Sequence, residues 1–267
     1  MNKGDWKLKV SGLVERPLSF SYEELLNLPV VEKIVTIQCI GNKVGGGLIG
    51  NALWKGVRLK DILEMAGVKR GVREVVFHAV DGYAESLPLD YALREEVFLA
   101  YEMNGKPLPS KHGAPVRLII PNRYGLKHVK WLSAVELVDR DFQGYWVKRG
   151  WDKEAGLKTM SRIDYPTDRA HLPLSPINIE GIAFSGNGIS KVEISLRGKN
   201  WEKANLRPPL SPYSWVLWSF YWQPPAAGEY KLKVRAIDGR GGLQIEEPAE
   251  PAPSGATGYH SITLFIE

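Results

Sequence analysis

Two groups of residues carry side chains suited to chemistry: the lone cysteine Cys39, and a run of cations between residues 112 and 130. Cys39 closes a stretch rich in β-branched residues, 33–39, and is followed by Ile40-Gly41-Asn42 and then Gly45-Gly46-Gly47. A strand end feeding a glycine-rich loop lets a ligand come close to the backbone. A thiolate there suits a soft or high-valent transition metal. By residue type alone, a buried structural thiol is the commoner use of an unpaired cysteine. One cysteine builds neither a zinc nor an iron–sulfur centre, so any metal would take most of its ligands from a cofactor.

The cations are His112, Arg117, Lys127, His128 and Lys130, placed around His112-Gly-Ala-Pro-Val-Arg117 and Asn122-Arg-Tyr-Gly125. Arginine offers a planar fork of donors to an oxyanion, and lysine and histidine add further donors. The cluster reads equally as a phosphate or other anion receptor and as a solvated basic surface. Asp81, in Asp81-Gly82-Tyr83, is either a plain turn residue or an acceptor for a ligand's amino groups. The chain has no Walker A motif, G-x-G-x-x-G, G-x-S-x-G or H-E-x-x-H, so nucleotide, hydrolase and zinc-protease readings find no support.

Composition narrows the class. The 267 residues are 44% hydrophobic and 24% charged, with net charge +5 and many glycines and prolines (27 and 18). That suits one large or two moderate domains built mainly of strands and turns. No run of five Lys/Arg and no nucleic-acid motif occurs, so the positive balance points to small anions or to nothing specific rather than to nucleic acid. One cysteine precludes an intrachain disulfide and a CxxCH haem attachment. No stretch reaches the ~18 apolar residues of a membrane-spanning helix, and the first residues do not read as a signal peptide. A natural start at Met1 would imply a cytoplasmic protein; origin within a longer chain would imply an extracytoplasmic, membrane-tethered parent.

The elements that must hold these residues follow from patterning. Strands are expected over 7–10, 33–39, 74–80, 97–101, 116–120 and 131–138. A capping box, Ser21 with Glu24, opens a short helix, and Leu59, Ile62, Leu63 and Ala66 before Gly67 mark another. Irregular mixing of strands and helices predicts an α+β domain over 1–163. Residues 164–176, with Pro166, Pro173 and Pro176, are expected to be an extended linker. From 177 to 267 helix signals vanish. Strands at 177–184, 191–196, 214–221, 230–238 and 261–266 predict an all-β, immunoglobulin-like sandwich.

Several motifs, in order, resemble the sulfite oxidase family of molybdopterin-dependent oxidoreductases. They are Thr36-Ile-Gln-Cys39-Ile-Gly-Asn42, Leu99-Ala-Tyr-Glu-Met-Asn-Gly105-Lys-Pro-Leu-Pro109, His112-Gly-Ala-Pro-Val-Arg117 and His128-Val-Lys-Trp131. Gly181-Ile-Ala-Phe-Ser-Gly186, Val192-Glu-Ile-Ser195, Trp201 and Arg235-Ala-Ile-Asp238 resemble that family's dimerisation domain. A microbial branch is the nearest, through Val44-Gly-Gly-Gly-Leu-Ile-Gly-Asn-Ala-Leu-Trp54 and Ser161-Arg-Ile-Asp164.

The resemblance implies a molybdenum–pyranopterin cofactor with Cys39 as the metal's thiolate ligand. It also implies cofactor contacts from Asn42, Asp81, His112, Arg117, His128, Val129 and Lys130. Trp151 matches the position of a catalytic tyrosine. The sequence departs from sulfite-oxidising members at Val44 and Val216, where those carry arginines, and at Trp151. Lys43, Arg123 and Arg149 are the candidates to replace the missing positive charge. The implied activity is oxygen-atom transfer on a small oxyanion or an S- or N-oxide, with a separate electron-transfer partner and a homodimeric assembly. A reductase of S-oxides, N-oxides or nitrate on the same scaffold, and a cofactor-free binding module, are the alternatives.

Overall fold

The computed structural model describes residues 3–198 and 200–267, which divide into two compact units. The first takes the chain up to Ile37 together with Ala52–Ala155; the second takes Gln38–Asn51 and Gly156–Glu267. Strands dominate both; among the described residues of the first, the α part of the expected α+β domain consists of the short α-helices Tyr22–Leu26, Leu59–Ala66 and Leu89–Ala92.

In the first unit, Lys7–Gly12 alternates exposed lysines with buried Leu8 and Val10, as a half-buried strand must. It runs parallel to Leu132–Val138, which continues antiparallel into Glu74–Ala79 and Ala84–Pro88, with Leu18–Ser21 on the far edge. The Trp6 indole N–H donates to the Leu132 carbonyl at 2.8 Å and ties the strand entry to this sheet. A second sheet orders Val30–Gln38, Ile49–Arg58, Phe98–Met103 and Lys106–Pro107, with Arg117–Ile119 also pairing with Phe98–Met103. Val10, Leu59, Ile62, Leu63, Phe77, Leu99, Leu118 and Val135 belong to one buried core that both sheets and the helices share.

Ser21 and Glu24 form the expected capping box: the Glu24 N–H donates to Ser21 Oγ at 3.2 Å, and the Ser21 N–H to Glu24 Oε2 at 2.7 Å. Leu59–Ala66 stops at Gly67, whose φ of +71° a side chain would disfavour. The strand Ile49–Arg58 was not expected, because Gly50 and Gly56 interrupt its pattern. Gly56 sits at a bulge where a Cβ would lie 1.9 Å from the Leu99 carbonyl oxygen, so the glycine marks close strand approach rather than a turn.

The second unit contains two sheets around a common core of Ile179, Ile194, Trp218, Tyr230, Val234 and Leu264. One orders Met160–Tyr165, Ile177–Phe184, Val216–Trp222 and Asn205–Leu206; the other orders His171–Leu172, His260–Ile266, Gly228–Asp238, Ile189–Ser195 and Glu202–Lys203. Residues 164–176 are therefore more than an extended linker. Met160–Tyr165 pairs antiparallel with Ile177–Phe184, and His171–Leu172 pairs parallel with His260–Ile266. Proline density suggested a spacer, but these prolines stand outside the paired positions, which leaves the intervening residues free to add edge strands.

Candidate cofactor site

Cys39 follows the last residue of Val30–Gln38 and opens a loop that returns at Leu48. Its thiol is exposed, while the flanking Gln38 and Ile40 are buried, so it is not a core side chain. The loop closes on itself. The Cys39 N–H donates to the Leu48 carbonyl at 2.9 Å, and the Asn42 N–H to the Cys39 carbonyl at 3.0 Å. Asn42 is 2% exposed, and its Oδ1 accepts from the Leu48 N–H at 2.8 Å. That places Asn42 inside the loop as its internal staple.

In the first unit, the run from His112 to Lys130 folds into one knot. Gly113, at φ +105°, lies against Lys130, where a Cβ would come within 2.8 Å of the lysine's own Cβ. The Trp131 N–H donates to the Gly113 carbonyl at 3.2 Å and its indole to the Ser110 carbonyl at 2.9 Å. Lys130 is thereby held beside the His112 turn, its ammonium 4.2 Å from the Trp131 ring centroid and 3.4 Å from the Lys111 carbonyl.

Arg117 opens the strand Arg117–Ile119 and is 6% exposed. It donates to the His112 carbonyl at 3.0 Å and the His128 carbonyl at 3.4 Å, and stacks 5.0 Å from the Trp54 ring centroid. Among the described residues no carboxylate pairs with it, and its Nε is buried with no partner. Burial alone lowers its pKa to about 10. A buried guanidinium with an unspent donor and no counter-ion among the described residues is the arrangement an anionic ligand completes. His112 is held below its usual value by partial burial, and then by Arg117, Lys111 and Lys130.

The other two cations of the sequence cluster are committed internally. Lys127 is 2% exposed and donates to Glu85 Oε2 at 2.6 Å and to the Ser86 carbonyl at 3.1 Å. His128 is 3% exposed; its Nδ1 accepts from the Ile120 N–H at 3.4 Å, so the neutral ring carries its proton on Nε2, which donates to the Arg123 carbonyl at 3.2 Å. Burial, and then Arg117, depress its pKa to about 3. The ring is a neutral brace, and it is the His128 carbonyl that serves Arg117. Val129 is wholly buried, and its N–H and C=O bond to the Lys127 carbonyl and the Leu118 N–H.

Asp81, His128 and Lys130 meet around a cavity of about 290 Å³ lined also by Tyr83, Gly125, Leu126, Trp131 and Trp146. Asp81 is exposed; its Oδ1 caps the Tyr83 N–H at 3.0 Å. The Tyr83 hydroxyl donates to the Leu126 carbonyl at 2.7 Å, and burial, then Glu85 and Asp81, raise its pKa and keep it neutral. Trp151 is half-buried and does not line this cavity; its N–H donates to the Trp146 carbonyl at 3.2 Å. Sequence reasoning did not single out the aromatic walls Tyr83, Trp131 and Trp146. Their signal is an aromatic residue near a turn glycine or a cation (Gly82-Tyr83, Lys130-Trp131, Gly144-Tyr-Trp146), which is too common to select unaided.

Among the described residues no group of three or more His, Cys, Asp or Glu side chains forms a metal site, so a metal bound at Cys39 would rely on a cofactor for its other ligands. Each unit, taken by itself, offers a feature that suits such a group: in the first, the buried, unpartnered Arg117 Nε is a donor for an anion, and in the second, the exposed Cys39 thiol is a thiolate for a metal.

Comparison with known proteins agrees. Residues 1–146 match the oxidoreductase molybdopterin binding domain, and residues 152–250 the Mo-co oxidoreductase dimerisation domain. Mitochondrial sulfite oxidase of Macaca fascicularis is 34% identical over 271 residues, covering 83% of this chain and 50% of that protein. Nitrate reductase [NADPH] of Fusarium oxysporum is 30% identical over 261 residues, covering 78% of this chain and 29% of that protein. The crystal structure of the sulfane dehydrogenase SoxCD from Paracoccus pantotrophus superposes with a TM-score of 0.86 at 26% identity, covering 98% of this chain and 76% of that one. The chain spans about half the length of the curated sulfite oxidase relative it matches.

Proposed function

The chain belongs to the sulfite oxidase family of molybdopterin-dependent oxidoreductases, and from that premise we propose that it transfers an oxygen atom between a small substrate and a molybdenum ligated by Cys39. The observation that carries this reading is the exposure of Cys39 on an internally stapled loop. A structural cysteine would be buried.

A bound molybdenum–pyranopterin would supply the two-electron redox chemistry. The chain's own residues receive and orient it. Cys39 gives the thiolate. Arg117 and Lys130 would hold the cofactor's anionic part, with His112 as a neutral neighbour whose carbonyl fixes Arg117. Asp81 has one carboxylate oxygen committed to the Tyr83 N–H, and the other serves as an acceptor for amino groups. His128 and Val129 act through their backbone and packing, and Asn42 through the Cys39 loop. Trp151, at the position of the family's catalytic tyrosine, has an indole N–H and no hydroxyl to offer. The proposed electron acceptor is a separate electron-transfer partner. The second unit, read as an immunoglobulin-like sandwich, pairs two copies into a homodimer.

A specific observation favours reduction of an uncharged S- or N-oxide over oxidation of sulfite. Val44 is exposed in a cavity lined by Pro248, Ala249, Pro251 and Ala256 and by the opposed charges Lys43 and Glu250, and Val216 is 3% exposed, so neither valine itself presents charge. Each candidate replacement has a partner, Lys43 only through an exposed pair in the same cavity as Val44. Lys43 faces Glu250 at 3.5 Å, Arg123 faces Glu154 at 3.6 Å and packs over Tyr91, and Arg149 stacks 3.6 Å from the Tyr145 ring centroid. A dianion needs concentrated positive potential, whereas an uncharged oxide does not. The test is turnover by cofactor-loaded protein in both directions: sulfite with an oxidised acceptor, and S- and N-oxides with a reduced viologen dye. Oxide reduction that exceeds sulfite oxidation and disappears in Cys39→Ala supports the reading; faster sulfite oxidation reverses the substrate assignment.

A further inference from the structure

The loop that carries Cys39 has four glycines, Gly41, Gly45, Gly46 and Gly47, among its residues 39–48, and beyond the Asn42 staple its run 45–47 has little constraint of its own. A metal ligand on such a loop must be braced from outside if its thiolate is to keep one direction. Two side chains of the second unit supply that brace. Arg162, on the strand Met160–Tyr165, donates from Nη1 to the Gly46 carbonyl at 2.6 Å. Its Nε is held by Asp164 Oδ1 at 2.5 Å, and its side chain is only 16% exposed, so the fork has little freedom to swing away. His260, the first residue of His260–Ile266, approaches the same loop one residue earlier. Gly45 has φ +73°, and a Cβ there would lie 2.3 Å from His260 Cδ2 and 2.4 Å from Nε2. The imidazole is fixed in turn by the Ile163 N–H, which donates to Nδ1 at 3.1 Å. Arg162 and His260 thus touch adjacent glycines of the loop and flank Ile163, the residue between Arg162 and Asp164.

From this geometry we infer that Arg162 and His260 are positioning residues that clamp the loop at Gly45-Gly46 and so fix the direction of the Cys39 thiolate. Asp164 orients Arg162 and acts at one further remove. The inference rests on Cys39 being the metal's ligand where it concerns catalysis, but not where it concerns the loop.

The experiment uses the cofactor-loaded protein and three variants: Arg162→Gln, Arg162→Lys and Gly45→Ala. The first reading is amide hydrogen exchange over 39–48. Loss of one hydrogen bond from a charged donor corresponds to about a ten-fold or greater rise in the opening constant. Arg162→Gln is therefore expected to speed exchange about ten-fold in this segment, with distant strands such as Glu74–Ala79 unchanged, and Arg162→Lys is expected to recover part of the protection. Gly45→Ala, which drives a methyl into the His260 ring, is expected to loosen the same segment. The second reading is catalytic. kcat falls while KM holds, and the electron paramagnetic resonance signal of the reduced metal broadens or shifts as the thiolate direction spreads.

Unchanged exchange over 39–48 in both Arg162→Gln and Gly45→Ala overturns the clamp. Faster exchange with an unaltered metal signal and unaltered kcat overturns its role toward Cys39. If Cys39→Ala keeps its metal and its turnover, the assignment of Cys39 fails separately, and the exchange result still decides whether the clamp exists.

Discussion

Replacing Arg117 by methionine separates ligand binding from folding. Burial lowers the guanidinium's pKa from 12.5 to about 10, a penalty on the charged form of about 3 kcal/mol at about 1.4 kcal/mol per pKa unit. Its bonds to the His112 and His128 carbonyls offset this by about 1.5–3 kcal/mol each. The folded, cofactor-free protein therefore gains only about 0–3 kcal/mol from the charge. Methionine keeps an unbranched apolar stem against Trp54, so packing changes little. For a chain of this size about 1 kcal/mol moves Tm by about 2–4 °C, so the cofactor-free variant should melt less than about 12 °C below the parent. Cofactor retention behaves differently. An anion loses one or two charge-assisted bonds of about 1.5–3 kcal/mol each, so affinity should fall at least about ten-fold. Scanning calorimetry of the cofactor-free proteins and molybdenum per chain after identical loading and dialysis give the two quantities. An Arg117→Met protein that retains cofactor as well as the parent would refute the reading of Arg117 as an anion receptor.

Three further outcomes follow from the same geometry. The unfolded chain protonates a histidine near 6.5, but folded His128 only near 3, so protons favour unfolding. Stability from this group is complete above about pH 7 and should fall by up to about 1.4 kcal/mol per pH unit below 6.5, with a shallower slope in His128→Gln by denaturant titration at each pH. Lys127→Met leaves the buried Glu85 without its partner and should cost about 3–5 kcal/mol, while Lys127→Met with Glu85→Gln recovers much of that loss in chemical denaturation. Gly113→Ala pushes a methyl against Lys130 and should lower cofactor retention as well as Tm, because the strained turn and the cation move together.

How far the sequence discloses this molecule depends on the kind of signal. Alternation and capping act within a few residues, so Lys7–Gly12, the Ser21 cap and the helix ending at Gly67 were all legible. Ile49–Arg58 was not, because Gly56 is required by contact with Leu99, a residue far away in sequence. The strand His171–Leu172 inside 164–176, and the end of Met160–Tyr165 that reaches into it, were hidden for a related reason: their pairing partners, not their composition, define them. At the site, the residue types of the cation cluster were visible, but their division of labour was not. Lys127 is claimed by Glu85 and the His128 ring by two backbone groups, and both partners become apparent only in three dimensions. Cys39 is the opposite case. Its neighbours in sequence already suggested a ligand loop, and exposure of the thiol removes the core-packing alternative.

The most direct test of the central claim is molybdenum content and turnover measured together on the parent and on Cys39→Ala, expressed and loaded alike. The parent should hold close to one molybdenum per chain and turn over an oxygen-atom substrate, and the variant should lose turnover and metal. A Cys39→Ala protein that is fully metallated and fully active would contradict the account.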